Sequence, residues 1–120
     1  MIFEELLKGE PKNLEYKSEL PVKSEKYMKS VVAFANTSGG KLIIGIDDET
    51  RKVVGVDKDS VFQNMDRIAN AISDSCEPQI IPDITFQNID GKCVVIVEIY
   101  PGRNRPYYLK NAGKNRGVYV

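Results

Sequence analysis

Residues 31–48 read VVAFANTSGGKLIIGIDD. Before the glycines, Val31, Val32 and Ala35 continue a stripe that starts at Met28, the i, i+3, i+4, i+7 spacing of a helix with one apolar face, and Tyr27 and Phe34 widen it. Asn36 to Gly40 stop that helix, with Gly39 or Gly40 supplying the left-handed residue of a helix end. Lys41–Ile46 is then a near-continuous apolar run, which predicts a central strand. Asp47-Asp48 opens a turn. The stretch therefore sets a helix and a central strand side by side, and the other elements arrange themselves around them.

Upstream, FEELL opens a short helix stopped by Gly9 and Pro11. LEYKSEL alternates, with Leu14, Tyr16 and Ser18 on one side and Glu15, Lys17 and Glu19 on the other, as a half-buried strand does; Pro21 ends it and Ser24 caps the next helix. Downstream, KVVGV after the DDETR turn reads as a second strand, making a hairpin. Asp59 or Ser60 caps a second helix with Val61, Met65, Ile68 and Ile72 as its stripe, and Glu77-Pro78 ends it. DITFQNI and KCVVIVEIY flank Asp90-Gly91, a strong hairpin signal. A long loop follows, with a short strand at Tyr107–Leu109, and Val-Tyr-Val closes the chain as a truncated strand. This order predicts an α+β fold: a mixed, mostly antiparallel sheet containing 13–18, 41–46 and 92–99, covered by two main helices near 25–36 and 60–75. Residues 1–120 form a single domain, and the terminal strand suggests a module cut from a longer protein.

At 120 residues, 42% apolar and 28% charged, the chain suits one modest core. No apolar run approaches the roughly 20 residues of a membrane helix. The start carries acids where a signal peptide carries bases, so a cytoplasmic protein is expected. Cys76 and Cys93 lack CxxC spacing and read as buried free thiols. The absence of histidine excludes Ser-His and Cys-His catalysis and histidine-ligated zinc. The net charge of zero hides an asymmetry: residues 1–98 hold 12 Lys/Arg against 17 Asp/Glu, whereas residues 99–120 hold five cations and no acid. Such a split suits a partner that meets one end of the chain, although an exposed basic loop can simply offset an acidic body.

Three sets of residues carry chemistry. The glycine pair follows a helix and precedes a strand, the reverse of a phosphate cradle, and there is no P-loop motif, so helix stop and tight turn is the plainer reading. The acids Glu10, Glu15, Asp47 and Asp48 are catalytic candidates. If their strands are neighbours, Glu15, Asp47 and Asp48 converge at one sheet end and suit Mg²⁺ or Mn²⁺, with Lys17 beside Glu15 to meet a phosphate. Ordinary turn chemistry explains Asp-Asp equally well. No cofactor is required by the composition. Third, Arg103, Arg105, Lys110, Lys114 and Arg116 interleave with Tyr100, Tyr107, Tyr108 and Tyr119. Cations with aromatic faces are the composition of nucleic-acid surfaces, and residues 103–116 read as a mobile arm; the alternative is tyrosines packed inward.

The series GEPKNLEYK, VVAFANTSGGKLIIGIDDETRKVVGV and RPYYLKNAGKNRGVYV resembles the Schlafen AlbA-like domain, a DNA-binding domain of prokaryotic regulators and divergent AAA-type proteins that also occurs in animal Schlafens. The resemblance covers Gly9 to Val120. It implies a fold related to Alba nucleic-acid-binding proteins and further C-terminal domains in a longer transcriptional regulator. Some Schlafens are RNases with a Glu-x₄-Glu pair and a downstream Asp; Glu10 and Glu15 match the pair, and Asp47 or Asp48 the third acid. Three functions follow as expectations: a nucleic-acid-binding module, with DNA as partner and Lys17, Arg103, Arg105, Tyr107, Lys110, Lys114 and Arg116 as contacts; a metal-dependent endoribonuclease; or a protein-interaction or dimerisation module with no nucleic-acid role. A homo-oligomer is a further candidate partner.

Overall fold

The computed structural model describes residues 13–19 and 25–110. The helix read around Val31 is α1, Glu25–Asn36, and Tyr27, Met28, Val31, Val32 and Ala35 are all buried along it. It ends as the glycines require. The amides of Thr37 and Gly39 both donate to the Phe34 carbonyl, at 3.2 and 2.8 Å, with Gly39 at φ +84°. A Cβ on Gly39 would sit 2.6 Å from the Ile99 carbonyl oxygen, and one on Gly40 2.7 Å from the Phe34 ring. The glycine pair is thus structural, because it lets the helix end and two strands approach one another.

The strand after it is β2, Gly40–Ile44, and it is central as expected. On one side lies β1, Leu14–Lys17, parallel to it, with Glu15 opposite Leu42 and Lys17 opposite Ile44. In chain order there follow α2, Val61–Ser75, then β3, Cys76–Glu77, then the two strands of the Asp90-Gly91 hairpin, β4, Asp83–Ile89, and β5, Lys92–Ile99. β5 takes the other side of β2, antiparallel, and β4 lies outside it, so the sheet runs β1-β2-β5-β4. Asp90 and Gly91 turn at φ 52° and 80°, the positive pair a tight hairpin needs.

Both faces of this sheet are apolar, which is why β2 and β5 read as continuous runs rather than alternations. Leu42, Ile44, Val95, Val97 and Ile99 pack under α1 and under Val61, Ile68 and Ile72 of α2. Tyr16, Ile43, Ile46, Ile89, Val94 and Ile96 form a second cluster on the opposite face. Each such side chain, fully buried, contributes about 1.5–3 kcal/mol relative to exposure.

One expectation changes. KVVGV does not form a strand: it is held by single bridges, Ile46 to Val53 and Val56 to Cys93. Both edges of β2 are already taken by β1 and β5, and Gly45 at φ +111° bends the chain out of the ladder. Ser60, one of the two caps read from the sequence, is the N-cap residue of α2. Asp57 accepts from the Asp59 amide at 3.0 Å and caps a 3₁₀ turn at Lys58–Ser60, and the Ser60 hydroxyl donates back to the Asp57 carbonyl at 3.5 Å instead of capping α2.

After β5 the chain returns beneath α1 and forms β6, Tyr108–Leu109, which pairs antiparallel with β3 as a separate small sheet. Cys76 and Cys93 are buried free thiols, and burial pushes the Cys76 thiol up to about 11. No helix of the described residues is long and apolar enough to cross a membrane. The FEELL helix, Pro21, the Ser24 cap and the terminal Val-Tyr-Val strand lie outside the described residues.

Candidate nucleic-acid interface

The basic segment is anchored by a residue that reads as a mere helix stop. Asn36 occupies the i+4 position from Val32, so a polar side chain falls on the buried face at the end of α1. Its Oδ1 accepts from the Tyr107 amide at 2.7 Å and its Nδ2 donates to the Tyr107 carbonyl at 3.0 Å. One amide thereby satisfies both backbone groups of a buried residue, as a strand neighbour would. Two further bonds fix the loop to the same helix end. The Gly102 amide donates to the Ala35 carbonyl at 2.8 Å, and Arg105 Nη1 donates to the Asn36 carbonyl at 3.4 Å.

Tyr107 is buried among the core residues under α1, and its hydroxyl accepts from the Asn104 amide at 3.3 Å. A Cβ on Gly102 would overlap the Tyr107 ring, so that glycine is the space the ring occupies. Tyr107 therefore does not offer a stacking face; packing the ring is what holds the loop. The part of the expected mobile arm that lies among the described residues, Arg103 to Lys110, is instead fixed by these bonds and by β6. Lys114 and Arg116 lie outside the described residues.

What this anchoring leaves outward is charge. Arg103, Arg105 and Lys110 are exposed, and among the described residues none of the three pairs with a carboxylate. A fixed backbone carrying solvated cations is suited to phosphates, because little order is lost when they bind.

The acids do not assemble in the same way. Glu15, opposite Leu42, is turned to the helix side of the sheet, where its Oε1 accepts from Ser30 Oγ of α1 at 2.6 Å. Its Oε2 is buried without a hydrogen-bond partner, and Lys17 Nζ stands 4.0 Å from it. Lys17 is thus partly neutralised by Glu15 rather than presented as a free phosphate contact. Asp47 serves the turn. Its Oδ1 accepts from the amides of Glu49 and Thr50, both at 2.9 Å, and those bonds, Thr50's first, hold its carboxyl below the ordinary 3.8. Asp48 is exposed and pairs with Arg51 at 3.3 Å. The register sets Glu15 level with Leu42, whereas Asp47 follows the Gly45 bend, where the amides of Gly45 and Ile46 donate to the Lys17 carbonyl at 2.7 and 3.3 Å. Among the described residues no three His, Cys, Asp or Glu side chains form a group that could hold a metal ion, so Glu15, Asp47 and Asp48 are not brought together as one; Glu10 lies outside the described residues.

One further feature adjoins the basic segment. A cavity of about 460 Å³ opens between residues 79–81 and 100–104, with Tyr100, Ile81 and Arg103 on its walls. Its two sides flank the open end of the β4–β5 hairpin, where Asp83 pairs with Glu98, and Ala35 and Tyr107 complete its lining.

Comparison with known proteins agrees with this architecture. The pattern of the Schlafen, AlbA_2 family matches residues 10–120. Among solved structures, the N-terminal domain of a protein from Nitrosomonas europaea related to the ATP-dependent DNA helicase RecG superposes with a TM-score of 0.69 at 23% identity, covering 97% of this chain and 82% of that one. A Corynebacterium diphtheriae protein superposes with a TM-score of 0.61 at 22% identity over 82% of this chain, which spans only 19% of that structure. At these identities the likeness is one of fold.

Proposed function

The chain belongs to the Schlafen, AlbA_2 family, and from that premise we propose that it is a nucleic-acid-binding module, with DNA as its first partner, of a larger prokaryotic regulator acting in the cytoplasm. The observation that carries this reading is the anchored basic segment. Asn36 clamps Tyr107, and the clamp presents Arg103, Arg105 and Lys110 to solvent without acidic partners among the described residues. Lys114 and Arg116 extend the same run of cations in sequence. The relation of the Nitrosomonas domain to a DNA helicase points the same way.

The test is a titration of labelled DNA at low salt with wild type and an Arg103→Ala/Lys110→Ala double variant. Both positions are exposed, so the melting temperature should hold while affinity falls. Equal affinities would remove the segment as contact surface. No binding by the wild type would move the protein-interaction reading to first place. Divalent-ion-dependent cleavage of RNA, lost in Glu15→Gln, would instead support the nuclease reading.

A further inference from the structure

We propose that the cavity between residues 79–81 and 100–104 receives one unstacked base of a single-stranded nucleic acid, its ring on Tyr100 and its phosphate at Arg103. The inference rests on the reading of the chain as a nucleic-acid-binding module and names the strand form that module prefers. The cavity, at about 460 Å³, falls in the range of roughly 300–1,000 Å³ that small ligands occupy. Its rim exposes two large apolar side chains, Ile81 at 79% and Tyr100 at 54%. Unpartnered apolar surface of this kind favours a flat apolar occupant.

Tyr100 is more than an exposed ring. Its hydroxyl donates to Asp83 Oδ2 at 3.2 Å, so the ring is tethered at its far end while most of it faces outward. A tethered ring loses little freedom when a base stacks on it. The charges around the cavity give it a polarity. Glu98 and Asp83 lie at the Tyr100 hydroxyl, and the Glu98 charge, with burial and the Asp83 contact, holds that phenol above its usual 10.0. Those acids repel a phosphate and can accept from the exocyclic amines of bases. Arg103 on the cavity wall, with Arg105 two residues on, attracts the phosphate. Base towards Tyr100 and phosphate towards Arg103 is the orientation that matches both ends. A duplex keeps its bases stacked within and cannot fill such a site, so the cavity selects single strands.

The experiment compares anisotropy titrations of a short labelled single strand and of the corresponding duplex, using wild type, Tyr100→Ala and Tyr100→Phe. Stacking on one aromatic ring predicts that Tyr100→Ala weakens single-strand binding by about 5- to 100-fold. Duplex binding should not change, and Tyr100→Phe should stay near wild type because it keeps the ring. A fluorescent adenine analogue in the strand should be quenched by wild type and by Tyr100→Phe, and not by Tyr100→Ala. If Tyr100→Ala binds the single strand as wild type does, or weakens strand and duplex alike, the cavity is not a base site although the module still binds nucleic acid. If wild type binds neither form, both this inference and the functional reading fall, and a peptide becomes the occupant to seek.

Discussion

Gly40 leaves no room for a methyl group. A Cβ there would stand 2.7 Å from the Phe34 ring and 2.8 Å from the Asn13 carbonyl oxygen, one of which belongs to backbone and cannot swing aside. Gly40→Ala should therefore destabilise the fold by about 1–3 kcal/mol, the usual range for overpacking, which urea unfolding would measure; an unchanged midpoint would contradict the close approach. Asp47 makes a prediction of a different kind. Its folded carboxyl lies below 3.8 because the Thr50 and Glu49 amides favour the ionised form. The stabilisation is fully present above the unfolded value and fades as pH falls through the lowered folded one. The difference in melting temperature between wild type and Asp47→Ala should thus be largest near neutrality and shrink on acidification; a constant difference would show that the carboxylate charge is not what the turn uses. Asp-Gly and Gly-Gly were readable at this scale because their meaning is local. Glu15 was not. Its alternation with Tyr16 fixed that they face opposite sides, but which side meets α1 depended on the pairing with β2 and on Ser30.

The end of α1 and the basic segment behave as one element, although more than sixty residues of sequence divide them. Removing the Asn36 side chain would leave the amide and carbonyl of Tyr107 unsatisfied in a buried setting, at a cost of about 1–3 kcal/mol for each group. Asn36→Ala should hence lower stability, and Gly102→Ala, which places a methyl in the Tyr107 ring, should loosen the same loop. Neither change removes a cation. Both should still weaken DNA binding, most visibly as faster dissociation in stopped-flow measurements, because the cations lose their fixed spacing. Unaltered binding by a folded Gly102→Ala would mean that position along the loop does not matter and charge alone does. The helices and the hairpin were legible because a period of 3.6 or 2 repeats over many residues. The failed KVVGV strand had the composition of a strand, but a strand also needs a free edge, and competition from β5 for β2 is invisible in a local window. Asn36 was legible in part, as a polar residue continuing an apolar stripe, while its partner was not.

Across the whole molecule charge is divided. Residues 1–98 carry a net −5 and residues 99–120 a net +5, a split along the sequence that, under the proposed function, lets the basic segment meet a polyanion while the acids repel it. This division makes the salt dependence of binding a count of contacts. Each phosphate neutralised on duplex DNA contributes about −0.9 to the slope of log K against log salt concentration. Engagement of Arg103, Arg105 and Lys110 alone predicts a slope of about −3, and participation of Lys114 and Arg116 a slope of about −4 to −5. Arg103→Ala/Lys110→Ala should flatten either value by about 2, whatever the sequence of the duplex, since cations on a loop meet phosphates rather than base edges. A double variant with the wild-type slope would place the contacts elsewhere even if its affinity were lower. Neutralising acids of the body, such as Asp66 and Asp74 on α2, should do something distinct: it should strengthen binding at low salt by reducing repulsion, and the gain should disappear as salt screens beyond about 10 Å. Measured together, the two series separate the charges that touch the phosphates from those that only orient the protein towards them.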